Sequence, residues 1–596
     1  MDATLRIASW SRRHVWLAIT ACLLTLPSFA PAASTWTPPL GSDFNWGTAS
    51  NWSPSGVPND ANTDVIIGSA FSYLNITPVT IRDLSLNGYI LGSGGTRDLS
   101  VQGTLNWTSG WMGNAGTTTL NGTSSISANG NCGLGNGRAL VNNGTASLSG
   151  GSYLNVDPGV VLTNNGTFQF TDGTAWLWYN SGGALPVLVN TSTGTLAKTA
   201  GPGGTNIVTW KLDNAGTIDV QGGTLRFENG GILRNGGKTT GSGTFRIQES
   251  AASPSNTRDS ERVMTVGTAG TDVFTFGSNV RMEAGMTLTG PGKIVVNGNF
   301  DWSNGVVSGT AGMGGLELNG SNNRLRTSAL ALSRAVVNNG TTSLEGGITV
   351  TGSGPASWSN YGTFRFTGDG TLAGSQTFTN NAGATLAKTG GTGTSTVNWT
   401  VNNAGLIRAD SGVLQLAGGF SQSSAGGVLA NGGAVTFASP ITVQGGLAGT
   451  GSINAATVNH SNGTIAPGLS PGTLTINGNL NLAGSSILVS ELGAGGSDKL
   501  VVNGDLTLDG VVNVIGVPAD FDLSVLYTLI DYSGTLTNNT LEIGSTPTDR
   551  KFYSIEIDAV NKLVLLRAPE PSTVALGISL GLMGAILAWR KRRTAR

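Results

Sequence analysis

Short runs in which every second residue is apolar recur along most of this 596-residue chain. Residues 217–220 read Thr-Ile-Asp-Val and residues 224–227 read Thr-Leu-Arg-Phe, so polar and apolar positions alternate. Such alternation predicts β-strands that bury one face. Asn-Gly and Gly-Gly pairs between the runs supply the positive φ values that tight turns need. The pattern predicts an all-β body built from many short strands.

Asparagine-rich corners give these strands a period of mostly 20 to 23 residues. The corners begin at residues 142, 164, 190, 213, 338, 360, 380 and 402. A unit this short cannot bury its apolar face alone, so it must stack on copies of itself. We therefore predict an elongated right-handed parallel β-helix, or β-solenoid, with asparagine ladders along it. The alternative is an array of β-sandwiches, whose strands would recur every 8 to 12 residues without a corner motif.

A longer repeat divides the body, because residues 89–240 recur as residues 284–435. Asn-Asn-Gly-Thr at 142–145 returns at 338–341, and Trp107 returns as Trp302. Open solenoid ends must be blunted, which predicts atypical capping segments at both ends. The expected divisions are an N-terminal cap with the first coils at 33–88, a first module at 89–283, a second module at 284–470, late coils at 471–516 and a C-terminal cap at 517–567. In the N-terminal cap, Trp36, Trp46 and Trp52 are expected to form a capping core, with a sugar-stacking platform as the alternative.

The N-terminal residues 1–32 have the form of a secretory signal peptide. A basic stretch precedes an apolar run at 15–26, and Ala30 and Ala32 form an A-x-A cleavage pattern. Export through the Sec machinery and cleavage by signal peptidase are expected. The alternative is a lipobox at 19–22, which would leave Cys22 lipidated.

The amino-acid composition narrows the fold classes and the kinds of binding partner that the protein can have. Only 11% of the residues are charged and 92 are glycine, which argues against a helical protein. Without Asp2, the three N-terminal arginines and the five basic tail residues, 24 Lys and Arg face 32 Asp and Glu. This weak acidic excess lacks the basic face that nucleic acids require. Cys132, the single cysteine after the signal, is expected to be a buried or incidental thiol.

Residues that could carry catalysis are few. His460 is the single histidine after the signal peptide, so no second histidine exists for a metal pair, and we expect it at a solvated corner. Two carboxylates suffice for glycoside hydrolysis, and the candidates Asp213, Asp219 and Glu228 are expected to lie close together on neighbouring strands. The second copy preserves the strand pattern without these acids, so Asp219 and Glu228 are expected to be outward-facing strand residues. We predict no enzyme activity and no cofactor; the alternative is a polysaccharide hydrolase or lyase.

The last 29 residues, 568–596, carry three parts in order. These are Pro569-Glu570-Pro571, an uncharged run at 572–589, and the basic residues Arg590, Lys591, Arg592 and Arg593. Eighteen helical residues would span about 27 Å, enough for a short transmembrane helix, and the basic cluster would stay on the cytoplasmic side. The segment resembles the PEP-CTERM sorting signal of Gram-negative bacteria that produce exopolysaccharide. The alternative is an ordinary membrane anchor.

The resemblance implies transient anchoring in the inner membrane and processing by an exosortase, a membrane protease-transpeptidase that recognises Pro569 to Pro571. A second resemblance lies in residues 465–474 and 498–504, which look like the late coils of autotransporter passenger β-helices. Residues 44–58 look like the start of such repeat-rich surface proteins. Together these features predict an exported structural or adhesive protein of the cell surface or exopolysaccharide matrix, with exopolysaccharide as a further partner.

Overall fold

The computed structural model describes residues 32–568, except for residues 128–131, 152, 180–181, 200–202, 250–261, 284, 328, 469–470, 494–495, 519–520 and 522–525. Ala32 is therefore the first described residue, and Ala30 lies outside the described residues. The predicted sorting motif, transmembrane helix and basic tail from residue 569 onward also lie outside them. Within the described residues, no helix combines the length and the apolar character that crossing a membrane requires.

Three long sheets wind around a common core, which confirms the predicted parallel β-solenoid. From Val65–Ile67 to Ala434–Phe437, 51 consecutive strands visit sheets 1, 2 and 3 in fixed order, which makes 17 right-handed coils of three strands. Each strand pairs in parallel with its counterpart one coil later. The coils are about 4.8 Å apart, because this is the spacing of hydrogen-bonded strands.

Sheet 1 contains Ser34–Trp36, Trp52–Ser53, Val65–Ile67, Leu84–Leu86, Leu105–Trp107, Thr123–Ser127, Thr145–Ser149, Thr167–Phe170, Thr195–Lys198, Thr217–Val220, Lys238–Thr240, Val273–Phe276, Lys293–Val296, Leu316–Leu318, Ala335–Asn338, Ser357–Asn360, Thr377–Asn380, Thr400–Asn403 and Phe420–Gln422.

Sheet 2 contains Phe71–Leu74, Tyr89–Gly92, Gly110–Gly113, Cys132–Leu134, Tyr153–Val156, Trp176–Trp178, Thr205–Val208, Thr224–Phe227, Thr244–Ile247, Asn279–Met282, Phe300–Trp302, Asn323–Leu325, Thr341–Leu344, Thr363–Phe366, Thr385–Lys388, Leu406–Ala409, Gly427–Ala430, Gly446–Gly449, Gly463–Pro467, Ser486–Gly493, Gly496–Ser497, Val511–Ile515 and Glu542–Ile543.

Sheet 3 contains Val79–Ile81, Leu99–Val101, Gly116–Leu120, Arg138–Asn142, Val161–Asn164, Val187–Asn190, Lys211–Asn214, Gly231–Leu233, Val263–Val266, Thr287–Thr289, Val306–Val307, Leu330–Leu332, Thr349–Gly352, Thr371–Ala373, Thr394–Val397, Val413–Leu416, Ala434–Phe437, Ile441–Val443, Ser452–His460, Thr473–Leu482, Lys499–Val502, Leu506–Leu508, Tyr527–Tyr532, Leu536–Asn538, Ser554–Asp558 and Leu563–Arg567. Short 3₁₀ turns at Ala49–Asn51 and Arg550–Phe552 accompany the strands.

Register keeps like residues above one another in the core. Leu140, Leu162, Leu188 and Leu212 are successive partners in sheet 3, and each is at most 1% exposed. A column of this kind stacks identical apolar side chains along the rod axis. The inward residues of all three sheets thus form one continuous core.

Two ladders of buried asparagines follow two edges of the rod. Asn142, Asn164, Asn190 and Asn214 are linked by amide hydrogen bonds of 2.7 to 2.8 Å, each donated by Nδ2 to Oδ1 of the next residue. A second ladder joins Asn338, Asn360, Asn380 and Asn403 at 2.8 to 2.9 Å. The predicted asparagine ladders are confirmed, and they satisfy amides at tight corners of the core.

The two copies of the long sequence repeat present the same residues on different faces. Asn142 ends a strand of sheet 3, whereas its counterpart Asn338 ends a strand of sheet 1. Trp107 lies in sheet 1 and Trp302 in sheet 2. Corresponding strands are 25 strands apart, which is eight coils and one further strand. The second copy is therefore turned by one face about the rod axis.

Both ends of the described solenoid are covered. Trp46 and Trp52 are 0% and 2% exposed, and Trp52 contacts the rings of Trp46 and Trp36 edge-on at 4.8 and 4.7 Å. The capping core is confirmed, and burial excludes the alternative of a sugar-stacking platform. At the other end, Ser554–Asp558 and Leu563–Arg567 form an antiparallel hairpin, and the second of these strands pairs antiparallel with Tyr527–Tyr532. The hairpin covers an edge that would otherwise be open to pairing.

Candidate binding face on sheet 2

The three candidate carboxylates of the sequence do not converge. Asp213 lies in sheet 3, Asp219 in sheet 1, and Glu228 directly follows a strand of sheet 2. The expectation that they lie close together is wrong, because each corner of a coil turns the chain onto the next face. Three carboxylates on three faces cannot flank one glycosidic bond.

Each of these carboxylates forms hydrogen bonds or an ion pair with neighbouring side chains. Asp213 accepts hydrogen bonds from Arg234 at 2.5 and 2.8 Å. Asp219 accepts from Gln221 and Thr240, both at 2.8 Å. Glu228 pairs with Arg226 and is 3% exposed. The predicted outward-facing position is therefore correct for Asp219, which is half-buried, and wrong for Glu228, which is buried beside Arg226.

His460 lies inside the core, so the predicted solvated corner is wrong. Its Nδ1 is 2.9 Å from Ser486 Oγ, its Nε2 is 3.2 Å from the carbonyl oxygen of Gly445, and burial lowers its pKa. The reason is a change of coil shape: Ser452–His460 is nine residues long and pairs with both Ala434–Phe437 and Ile441–Val443. One long strand thus replaces a corner.

Cys132 is buried, as predicted, and burial raises the pKa of its thiol to about 12. Over the described ranges, the His, Cys, Asp and Glu side chains include no group of three or more arranged to hold a metal ion. The residues singled out from sequence therefore do not assemble a reactive centre in the part of the chain that the structure describes.

A different set of residues comes together on the outer face of sheet 2. One row of outward positions can be followed from coil to coil by direct register partners, and we call it the sheet 2 row. Its members are Tyr153, Trp176, Ile207, Arg226, Arg246, Arg281, Asp301, Arg324, Ser343, Arg365, Ala387 and Arg408. Successive positions are one coil apart, so the twelve positions extend over about 50 Å along the rod.

The N-terminal end of the row is aromatic. The ring of Trp176 is 5.3 Å from that of Tyr153 and 5.3 Å from that of Trp178, and Tyr153 is 40% exposed. Nearer the cap, on the same sheet, Phe71 and Tyr89 stack at 4.4 Å and are 49% and 38% exposed. Exposed aromatic side chains clustered on one face commonly mark a binding surface.

Ion pairs hold the arginines of the row in place. Arg324 donates to Glu345 at 2.7 and 2.8 Å, a bidentate pair across one coil. Arg246 and Arg281 both pair with Glu283. Bidentate pairing fixes the plane of a guanidinium group.

Asp301 is the acidic member of the row. Burial pushes the pKa of Asp301 upward, but the hydrogen bond and charge of Arg326, together with Arg281, outweigh it and hold this pKa below its usual value. Beside Asp301, a shallow hollow of about 200 Å³ is lined by Arg246, Arg281 and Arg324 together with asparagine and threonine side chains. The hollow offers hydrogen-bond donors with fixed positions.

Arg365 differs from its neighbours in the row. Its Nε donates to Ser343 Oγ at 2.8 Å, and no carboxylate of the described residues forms a salt bridge with it. Its register partners are Ser343 and Ala387, both small. The guanidinium group of Arg365 is therefore held by one hydrogen bond and keeps donors for a ligand.

The sequence contains a signal for this row. Arginine recurs at the third place of short alternating runs: Thr-Leu-Arg-Phe at 224–227, Thr-Phe-Arg-Ile at 244–247, Asn-Val-Arg-Met at 279–282, Thr-Phe-Arg-Phe at 363–366 and Leu-Ile-Arg-Ala at 406–409. The spacing between these runs is irregular, so their common face became visible only from the register.

Comparison with known proteins gives a partial similarity to an adhesin. No family model matches the chain. A segment of 94 residues, 15% of this chain, is 45% identical to the adhesin BmaC autotransporter of Brucella suis biovar 1 (strain 1330). The match covers 3% of that protein, so the chain spans a small fraction of its length. This similarity and the parallel β-solenoid agree with the autotransporter-passenger resemblance of the sequence.

Proposed function

We propose that the protein is a non-enzymatic structural or adhesive protein of the cell surface or exopolysaccharide matrix. The observation that carries the proposal is the sheet 2 row, in which eight of the twelve positions are aromatic or arginine side chains on one face of the rod. Ile207, Ser343 and Ala387 are at most 5% exposed and separate these side chains into groups. A rod presents such a strip over many coils, so contacts that are weak singly add along one ligand. The similarity to an adhesin supports a surface location.

The arrangement of acids supports a binding role over catalysis. Asp213, Asp219 and Glu228 occupy three faces, and the acids next to the sheet 2 row are paired with arginines. A carboxylate held by a bidentate arginine is a poor general acid, because the arginine stabilises its ionised form. A polysaccharide hydrolase or lyase remains the competing function, and the two make opposite predictions.

The test is to incubate the purified protein with a panel of bacterial polysaccharides, then to measure both retention and cleavage. We expect the protein to co-sediment with at least one polysaccharide whose chain length stays unchanged. A new reducing end or an unsaturated sugar would overturn the structural reading in favour of the enzyme. Retention on none of the polysaccharides would overturn the adhesive reading.

The route to the surface is a further part of this proposal. Signal peptidase would cleave after Ala32, and the tail would hold the protein in the inner membrane until an exosortase acts at Pro569, Glu570 and Pro571. Arg590, Lys591, Arg592 and Arg593 would keep the C-terminus cytoplasmic. This route rests on the sequence alone, since these residues, apart from Ala32, lie outside the described ones.

A further inference from the structure

We propose that the sheet 2 row binds an extended polysaccharide that carries uronate residues and runs parallel to the rod axis. The inference deepens the adhesive function proposed above and rests on it. Three features of the row carry it: its spacing, its aromatic end and its arginines.

The spacing of the row suits a linear polysaccharide. Successive members are register partners, so they recur once per coil, about 4.8 Å apart along the axis. This rise is close to the length of one pyranose unit in an extended chain. A straight polysaccharide can therefore place consecutive sugars over consecutive coils without bending, and each weak contact is repeated in register.

The aromatic end supplies a stacking surface. Tyr153, Trp176 and Trp178 form a continuous cluster with ring centroids 5.3 to 5.9 Å apart. The C–H face of a sugar ring packs on such aromatic faces, while its hydroxyl groups remain directed to the sides and to water. Asn155, the register partner of Trp178, adds an amide next to this surface.

The arginines select for acidic sugars. The row and the residues that directly follow its strands carry seven arginines against five acids. The arginines are Arg226, Arg246, Arg281, Arg324, Arg326, Arg365 and Arg408, and the acids are the buried Glu228 together with Glu283, Asp301, Glu345 and Asp410. The strip is thus positively biased, although the net charge of the whole chain is −1. Guanidinium groups bind carboxylates in bidentate geometry, which favours uronates over neutral sugars.

Arg365 is the best single test position. It has no carboxylate partner in the described ranges, so replacing it leaves no acid unpaired. It lies eight coils from Trp176 along the row, or about 38 Å. A long ligand would reach from the aromatic end to Arg365, and a short one would not.

The experiment measures binding of alginate oligomers, a polyuronate, and of a neutral glucan of equal length to the purified full chain. The variants are Tyr153→Ala and Arg365→Gln. The matched controls are Tyr361→Ala, at an exposed corner between sheets 1 and 2, and Arg550→Gln, in the C-terminal cap. We expect each row variant to weaken binding of long alginate oligomers about tenfold, and each control to leave it unchanged.

Chain length sharpens the test. A tetramer bound at either end of the row contacts only one of the two positions, so its affinity there should fall in at most one of the two row variants. An oligomer longer than the distance from Tyr153 to Arg365 should lose affinity in both variants. Equal affinity for alginate and the neutral glucan, or row variants that bind alginate as well as the controls do, would overturn the uronate inference. The adhesive function would still stand if the protein were retained on other polysaccharides. Failure to bind any polysaccharide would instead overturn the adhesive function itself.

Discussion

Thr342 Oγ1 donates a hydrogen bond of 2.7 Å to Asn338 Oδ1 and so completes the start of the second asparagine ladder. The first ladder starts at Asn142, and the residue equivalent to Thr342 there is Ala146. Asn142 Oδ1 is buried, and no donor in the described residues reaches it. At their starts the two ladders thus differ by one hydroxyl group, and the first begins with an unsatisfied acceptor.

Ala146→Thr is expected to stabilise the protein by about 1 kcal/mol, because it supplies the missing donor to Asn142 Oδ1. The reciprocal change, Thr342→Ala, should destabilise by about the same amount, because it removes this donor from Asn338. Chemical denaturation of the two variants and the wild type measures both changes in the free energy of unfolding. A loss of stability in Ala146→Thr would mean that the hydroxyl group does not fit the core around the first ladder.

Breaking a ladder in its middle should cost more. Asn360 is 0% exposed, accepts from Asn338 at 2.8 Å and donates to Asn380 Oδ1 at 2.9 Å. Asn360→Ala should destabilise by about 1 to 3 kcal/mol, because it orphans buried polar groups. Asn339→Ala is the matched control, since Asn339 bonds Asn319 in an exposed ladder where water replaces the lost amide. Equal unfolding midpoints for the two variants would contradict the role assigned to burial.

The N-terminal cap should lose stability at low pH, when the carboxylate of Asp43 becomes protonated. This carboxylate accepts hydrogen bonds from the backbone and side chain of Asn45 and from Thr48 and Asn51, which lowers its pKa from 3.8 to about 2. Because the folded pKa is depressed, the contribution is complete above about pH 4 and is lost as the pH falls through about 2. Tryptophan fluorescence from Trp46 and Trp52, followed during acid titration, should report this loss.

The control for this titration is Asp43→Asn. The variant should lack the transition between about pH 4 and 2, since asparagine does not titrate in this range. It should also start from a less stable cap, because the amide cannot accept all of the hydrogen bonds that the carboxylate accepts. An identical acid transition in wild type and variant would exclude Asp43 as its cause.

Cys132 should be unreactive in the folded protein. Its pKa of about 12 leaves almost no thiolate at pH 8, and its side chain is 0% exposed. In a Cys22→Ser background, a disulfide reagent should modify Cys132 only after addition of denaturant. Rapid modification of the native protein would show that the coil around Cys132 opens.

The sorting proposal predicts separate effects of two changes in the tail. Glu570→Ala should leave membrane insertion intact but stop processing, so full-length protein accumulates in the inner membrane. Deletion of Arg590 to Arg593 should weaken retention in the membrane instead, because the positive-inside anchor is lost. Cell fractionation and mass spectrometry of the C-terminus measure both. Residues 589–596 still attached to surface-exposed protein, in cells that possess an exosortase, would refute the proposal.

Local pattern determined the fold class. The alternation at Thr217–Val220 and the asparagines at 142 and 338 form contacts only within one coil and with its neighbours. Because each coil stacks on the next, the parallel direction of its strands does not depend on contacts between distant parts of the chain. The sequence alone therefore predicted a parallel solenoid with amide ladders and a buried tryptophan cap. It also predicted that Cys132 is buried.

The tertiary structure alone decided which face each residue occupies. Coil lengths vary, as from Asn142 to Asn164 to Asn190, so position along the chain does not give the angle around the rod. For this reason the second copy of the repeat turned by one face, and the candidate carboxylates separated onto three. Arg226 and Arg365 came into one row by the same winding, because a small insertion in any coil is absorbed at a corner while the register of the strands is kept.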